Sequence, residues 1–220
     1  MIRFRHLTLA AVATLAIAPA AFAQDASTDS STSASGKRFA VVGGYALSEP
    51  TSNPQIAGER TTFDGDGAAT LSANYYVTDN IAIEAWGSAD KFGNRVSTPN
   101  GKVASVDTQP YALSGQYHFG TPQSTVRPFV GLGYYEANTS GEKAEPSGAL
   151  AGQRIGVETA KGAMATAGVD VNITPTWFAR ADVRYMQDTT GQPNVAVNGT
   201  NVGKAELNPV TVGVGLGARF

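Results

Sequence analysis

The stretch that most constrains the fold is Val210–Phe220, V-T-V-G-V-G-L-G-A-R-F. Val210, Val212, Val214, Leu216, Ala218 and Phe220 fall on one face of an extended segment. Thr211, Gly213, Gly215, Gly217 and Arg219 fall on the other. A period of two with one apolar face is a strand half-exposed to something apolar. The segment ends on an aromatic residue of the apolar face, as a transmembrane β-barrel does when its closing strand reaches the membrane interface.

The other end of the chain reads as a targeting segment. Arg3 and Arg5 precede an apolar run, Leu7–Ala21, and Ala21-Phe22-Ala23 is a small-x-small cleavage pattern. Residues 1–23 are therefore expected to be a secretory signal peptide. Residues 24–36, Q-D-A-S-T-D-S-S-T-S-A-S-G, hold almost no apolar surface and are expected to form a flexible periplasmic leader. No other segment approaches the ~18 consecutive apolar residues of a membrane helix, but barrel strands carry a far weaker signal. Cysteine is absent, which excludes a disulfide framework and thiol chemistry. Loss of Arg3 and Arg5 takes the formal charge from −2 to −4, which argues against nucleic-acid binding.

The remainder, 37–220, divides into eight alternating segments near Lys37–Leu47, Ala68–Val77, Asn80–Asp90, Ala104–Phe119, Val126–Asn138, Lys161–Ile173, Thr176–Gln187 and Ala205–Phe220. Short connections (Thr78–Asn80, Gly120–Thr125, Thr174-Pro175) alternate with long ones (Ser48–Gly67, Lys91–Val103, Thr139–Ala160, Asp188–Lys204) rich in Gly, Pro, Asn, Ser and Thr. A short helix within Gly148–Glu158 fits the pattern. The expected fold is all-β: an eight-stranded antiparallel transmembrane β-barrel with short periplasmic turns and long extracellular loops. Aromatic residues cluster at strand ends. Tyr75, Tyr76, Tyr117, Phe119, Trp177, Phe178 and Phe220 fall at the short-turn rim; Tyr45, Trp86, Phe92, Tyr134, Tyr135 and Tyr185 lie toward the other. Two interfacial girdles are expected, with Tyr75, Tyr117, Phe119, Trp177 and Phe220 as interface and assembly residues.

The seventh segment decides which face is inside. Phe178, Arg180, Asp182, Arg184 and Met186 alternate with Trp177, Ala179, Ala181, Val183 and Tyr185. Arginine at mid-membrane on the lipid face costs roughly 2–4 kcal/mol, so the charged face turns inward, and the register of every strand follows. Glu84, Asp170 and Asp182 then face Arg127, Arg180, Arg184 and Arg219 across a bore only just wide enough for side chains. Charge pairs should plug much of it, which argues against a wide aqueous pore. The lumen and selectivity candidates are Glu84, Trp86, His118, Arg127, Asp170, Arg180, Asp182 and Arg184.

Several runs resemble the OmpW family: Thr70–Glu84 (T-L-S-A-N-Y-Y-V-T-D-N-I-A-I-E), Gln116–Gly120, Arg127–Gly133, Gly168–Asp170 with Trp177 and Asp182–Met186, and Leu207-Asn208-Pro209 with Arg219-Phe220. The resemblance covers most of the chain after the leader. It implies an outer-membrane barrel and passage of small hydrophobic molecules across or into that membrane. It also implies a narrow lumen with an apolar constriction and lateral escape between strands. The chain departs from the family in its last strand, where Gly213, Gly215 and Gly217 replace bulkier residues, and at Asp90-Lys91 before Phe92.

Partners expected on this reading are outer-membrane lipid, the barrel-assembly machinery through the C-terminal strand, and small hydrophobic solutes, with the chain a monomer. No cofactor and no metal site is expected; Asp64-Gly65-Asp66 lacks the downstream glutamate of a calcium loop. Two other functions compete. One is a structural barrel whose loops bind surface partners such as phage, colicin or host, favoured if Arg and Asp side chains seal the bore. The other is a lipid-modifying enzyme using His118 as base. Ser114, on the same face, lies ~13 Å away at about 3.3 Å per residue, too far to form a pair with it.

Overall fold

The computed structural model describes residues 36–52, 55–56, 59–60, 62–98, 101–144, 155–189, 194–204 and 208–220. The expected signal peptide, and all of the leader except Gly36, lie outside them. Eight strands form the wall: β1 (Phe39–Glu49), β2 (Gly67–Tyr76), β3 (Ile81–Ser88), β4 (Gly101–His118), β5 (Val126–Ala144), β6 (Ala160–Asn172), β7 (Trp177–Asp188) and β8 (Val210–Arg219). Each pairs antiparallel with the next. β8 returns to β1 with Ala40 opposite Arg219. Phe39 and Phe220 exchange both backbone hydrogen bonds, at 3.1 and 2.8 Å. The sheet is thus a closed eight-stranded barrel, without a free edge among its eight staves.

Alternation holds along every stave. On β7, Phe178, Arg180, Arg184 and Met186 are buried while Trp177 and Tyr185 are exposed. On β8, Val212, Val214 and Leu216 are exposed and Thr211 and Arg219 buried. The outer wall carries exposed Leu71, Ile83, Leu113, Leu132 and Val214, a surface made for acyl chains.

At the short-turn end, Tyr75, Tyr117, Phe119, Trp177 and Phe220 all point outward. Phe39 meets Tyr75, and Tyr117 meets Phe119, with ring centroids 5.1 Å apart in both pairs. Tyr76 and Phe178 correct the expected girdle: both are buried in the lumen, because each is one residue out of step with the outward set. The far group is corrected in the same way. Trp86, Phe92 and Tyr135 are buried inside, whereas Tyr45, Tyr134 and Tyr185 face out. Tyr111, Glu136 and Lys161 form one outward row across β4, β5 and β6, where Lys161 pairs with Glu136 at 3.2 Å. From Phe119 to Tyr111 is about 27 Å of strand, or roughly 20 Å of height at a tilt near 40°.

Two of the short turns repeat one device. The Thr78 hydroxyl accepts from the Asn80 and Ile81 amides, and the Thr174 hydroxyl accepts from those of Thr176 and Trp177. In each, a threonine side chain stands in for a backbone turn acceptor. At the other end the long connections are more ordered than composition suggests. Phe92–Thr98 is a strand paired with β4, and Thr62–Asp64 pairs with it in turn. β4 begins at Gly101 and β5 runs on to Ala144. Ile155–Val157 is a strand paired with Asn194–Val197, which corrects that part of the expected helix; residues 148–154 lie outside the described residues. Neighbouring staves give these segments partners that no local signal announces.

Candidate functional site

The inward residues sort into two layers. Nearer the short turns, charged side chains join in one network. Arg180 and Arg184 project from β7 and meet Glu84 of β3, on the opposite side of the barrel. Arg180 Nη1 donates to Glu84 Oε1 at 3.1 Å, and Arg184 donates to both Glu84 oxygens at 2.7 and 3.2 Å. Arg180 also holds Asp170 of β6 in a two-point fork at 2.7 and 3.0 Å. Arg219 reaches the same carboxylate at 3.0 Å and bonds Asn172. Gln116 and Ser114 donate to Glu84 at 2.7 and 3.4 Å. Arg184 Nε lies 3.0 Å from Asp182. Glu84 and Asp170 are wholly buried.

Removing one member of such a buried pair strands its partner, at a cost of about 3–5 kcal/mol. Aromatic rings lie against the guanidiniums. Arg180 lies 4.5 Å from the Phe129 centroid, Arg184 4.7 Å from Trp86, and Arg219 3.9 Å from Phe178. Such contacts stabilise a desolvated cation further. Glycine makes room for two of the rings: a Cβ on Gly217 would sit 2.2 Å from Phe178, and one on Gly168 2.5 Å from Phe129.

Toward the long loops the lumen turns apolar. Trp86, Phe92, Tyr135, Met164 and Met186 form a buried cluster with Ala46, Ala68, Ala112 and Ala137. The ladder along β4 is interrupted beside this layer. The β3–β4 ladder ends at Gly87 opposite Tyr111, and pairing resumes only at Phe92 opposite Thr108. Pro110 in the interval has no N–H to donate. Side chains bridge it instead: Gln109 donates to the Ser88 carbonyl at 3.2 Å, and Ser88 to the Pro110 carbonyl at 3.5 Å.

Of the eight candidates from the sequence, Glu84, Asp170, Arg180, Asp182 and Arg184 meet in the network, and Trp86 joins the two layers. His118 stacks on Phe129 at 5.0 Å, contacts Gln116 at 3.2 Å through Nε2, and has Nδ1 3.8 Å from Asp170. Ser114 bonds Glu84 and not His118. Arg127 stands apart: it donates to the backbone carbonyls of Asp79 and Phe119, at 2.5 and 3.4 Å, and so ties two short turns together. Gln116, Asn172, Phe129 and Phe178 belong to the network without having been candidates. Strand parity marks them as inward, but parity does not say which inward side chains touch. Among the described residues, no group of three or more His, Asp or Glu is placed to hold a metal ion.

Comparison with known proteins gives the same picture. Outer membrane protein W of Vibrio cholerae is 29% identical over 157 residues, 68% of this chain and 72% of that one. The Escherichia coli K12 protein of that name is 29% identical over 199 residues, 84% of this chain and 86% of the relative. An NMR structure of E. coli outer membrane protein W has a TM-score of 0.55 at 26% identity, covering 86% of this chain and all of that one. The crystal structure of Pseudomonas aeruginosa OprG shares the fold, with a TM-score of 0.69 at 20% identity over 86% of this chain and 98% of its own. The OmpW family model matches residues 40–220. Closed barrel, apolar outer wall, charged lumen and this match together make the chain a member of the OmpW family and a protein of the bacterial outer membrane.

Proposed function

We propose that the barrel passes small hydrophobic molecules from outside the cell into the outer membrane, leaving the lumen sideways. The observation that carries this reading is the stacking of the two layers beside the broken ladder. Trp86, Phe92, Met164 and Met186 offer an apolar molecule a matching surface. The Glu84–Arg180–Arg184 lattice below refuses it, since entry there would break desolvated ion pairs. The interval between Ser88 and Pro110 lies at the level of the apolar layer, and side-chain hydrogen bonds hold it where a backbone ladder is missing. In this reading the lumen candidates select by excluding polar solutes. The outward aromatic residues seat a monomer in lipid, and the assembly machinery engages Val210–Phe220.

The test is uptake of an apolar fluorescent probe by liposomes holding the full chain. The chain has no cysteine, so the double variant Ser88→Cys, Pro110→Cys gives a clean crosslink across the interval. Uptake should stop on oxidation and return on reduction. Uptake indifferent to the crosslink would remove the side exit. No uptake of any apolar probe would remove transport. It would leave the second reading, a structural barrel whose loops bind surface partners, which a bore crossed by buried ion pairs also suits.

A further inference from the structure

The lipid-facing wall carries an ion pair at its upper rim. Tyr111 of β4, Glu136 of β5 and Lys161 of β6 stand side by side on three neighbouring staves. Lys161 Nζ lies 3.2 Å from Glu136 Oε1, and the two side chains are 41% and 26% exposed. A pair this open adds little stability, while charge on the lipid face is costly away from the headgroups. The row lies roughly 20 Å above Phe119, on the side of the long loops, where the headgroups of the outer leaflet meet the wall.

Below Lys161 the wall is grooved. β6 turns Ala163, Ala165 and Ala167 outward. Tyr134, Leu132 and Val130 of β5 flank them on one side, and Tyr185 and Val183 of β7 on the other. Leu132 is 75% exposed, because its cross-strand neighbours are Gly115 and Ala165. β5 and β7 stand two strand spacings apart, roughly 9–10 Å, so their larger side chains leave the width of one acyl chain between them. Above Lys161 the outward face is polar instead. Gln109 stands opposite Asn138, Asp107 opposite Ser140, and Ser105 opposite Arg95. From Tyr111 to Ser105 is about 20 Å of strand. β4 and β5 carry most of this strip and are the longest staves, at 18 and 19 residues.

We propose that this face of the barrel holds one phosphorylated glycolipid of the outer leaflet. Lys161 takes a phosphate, one acyl chain lies along β6 between Leu132 and Tyr185, and the sugars rest against the polar strip. The order along the wall is that of an amphiphile standing in the outer leaflet: apolar groove, cation, then hydrogen-bonding groups. Glu136 beside Lys161 repels a bare phosphate, whereas the hydroxyl and amide groups of a sugar bring donors that satisfy its carboxylate. The strip continues well past the lysine, which a small phospholipid headgroup would leave uncovered. The site lies on the lipid side of the wall and is independent of the lumen route proposed above.

The experiment is native mass spectrometry of the refolded full chain, released from detergent micelles that hold equal amounts of diphosphoryl lipid A, phosphatidylglycerol and phosphatidylethanolamine. Folding of each variant is checked by its heat-dependent shift in gel mobility. The wild type should retain one lipid A in preference to either phospholipid. Lys161→Ala should lower that retention about fivefold, the worth of one basic residue at a membrane surface, and Lys161→Arg should keep it. Ala165→Phe fills the groove and should lower retention as well. Gly43→Phe is the control. It lies on β1 between the outward Leu71 and Leu216, with nothing within 4 Å of an added Cβ, and should behave as the wild type. A wild type without preference for lipid A would overturn the proposal. So would a folded Lys161→Ala or Ala165→Phe that retains lipid A unchanged, or an equal loss in Gly43→Phe.

Discussion

The two layers of the lumen hang on the same staves and hold together in different ways. The charged layer joins β3, β6, β7 and β8 through a few bonds of defined direction: Glu84 is shared by two arginines, and Asp170 by Arg180 and Arg219. The apolar layer joins its staves by contact alone, with two methionines and three aromatic rings among alanines. Directional bonds between desolvated charges resist partial displacement, because one missing member exposes the others to an apolar surrounding. Methionine and alanine contacts adapt to a change in shape. One barrel can therefore be locked at one level and yielding a few ångströms above it.

Substitutions can break or sharpen that contrast. The largest effect is expected for Glu84→Ala, which strands Arg180 and Arg184. Stability should fall by about 3–5 kcal/mol, read from urea unfolding in lipid vesicles. A loss near that of an ordinary surface change would mean that the lattice is not locked. Met164→Ala should cost less, about 2–3 kcal/mol at the low end for a buried methionine, since neighbouring side chains can settle into the space. The same unfolding series ranks it, and an order reversed from Glu84→Ala would overturn the contrast. Arg127→Ala comes next. It removes charged donors from two turn carbonyls but leaves the network intact, for about 1.5–2 kcal/mol. Its effect should appear as faster hydrogen exchange at residues 77–80 and 119–120. Lys161→Ala, on the outer wall, is expected to change stability by less than about 1 kcal/mol. A larger loss would show that outer-wall charge pairs also hold the barrel.

Much of this fold was legible in the residues because a period of two does two jobs at once in a barrel. It marks a strand, and it marks which face each residue takes. Arg180, Asp182 and Arg184 on one parity of β7 were enough to orient the wall, since arginine in lipid is costly. The same rule places Tyr76, Phe178, Trp86 and Tyr135 inside; grouping aromatic residues by height along the strand obscured it. The strands within long connections, such as Phe92–Thr98, were not legible, because their partner is a β4 longer than its local pattern suggests.

Which inward side chains meet was decided by closure of the barrel. Strand alternation fixes direction and height, but nothing local says that β7 faces β3. Sequence put Glu84 and Arg184 in the same lumen, 100 positions apart. Only the closed wall brings them within hydrogen-bond reach and sends Arg127 to the turn carbonyls. The chain's own alternation and composition determined an apolar-outside, charged-inside cylinder. Stave number and register, which are properties of the whole sheet, determined the pairings across it.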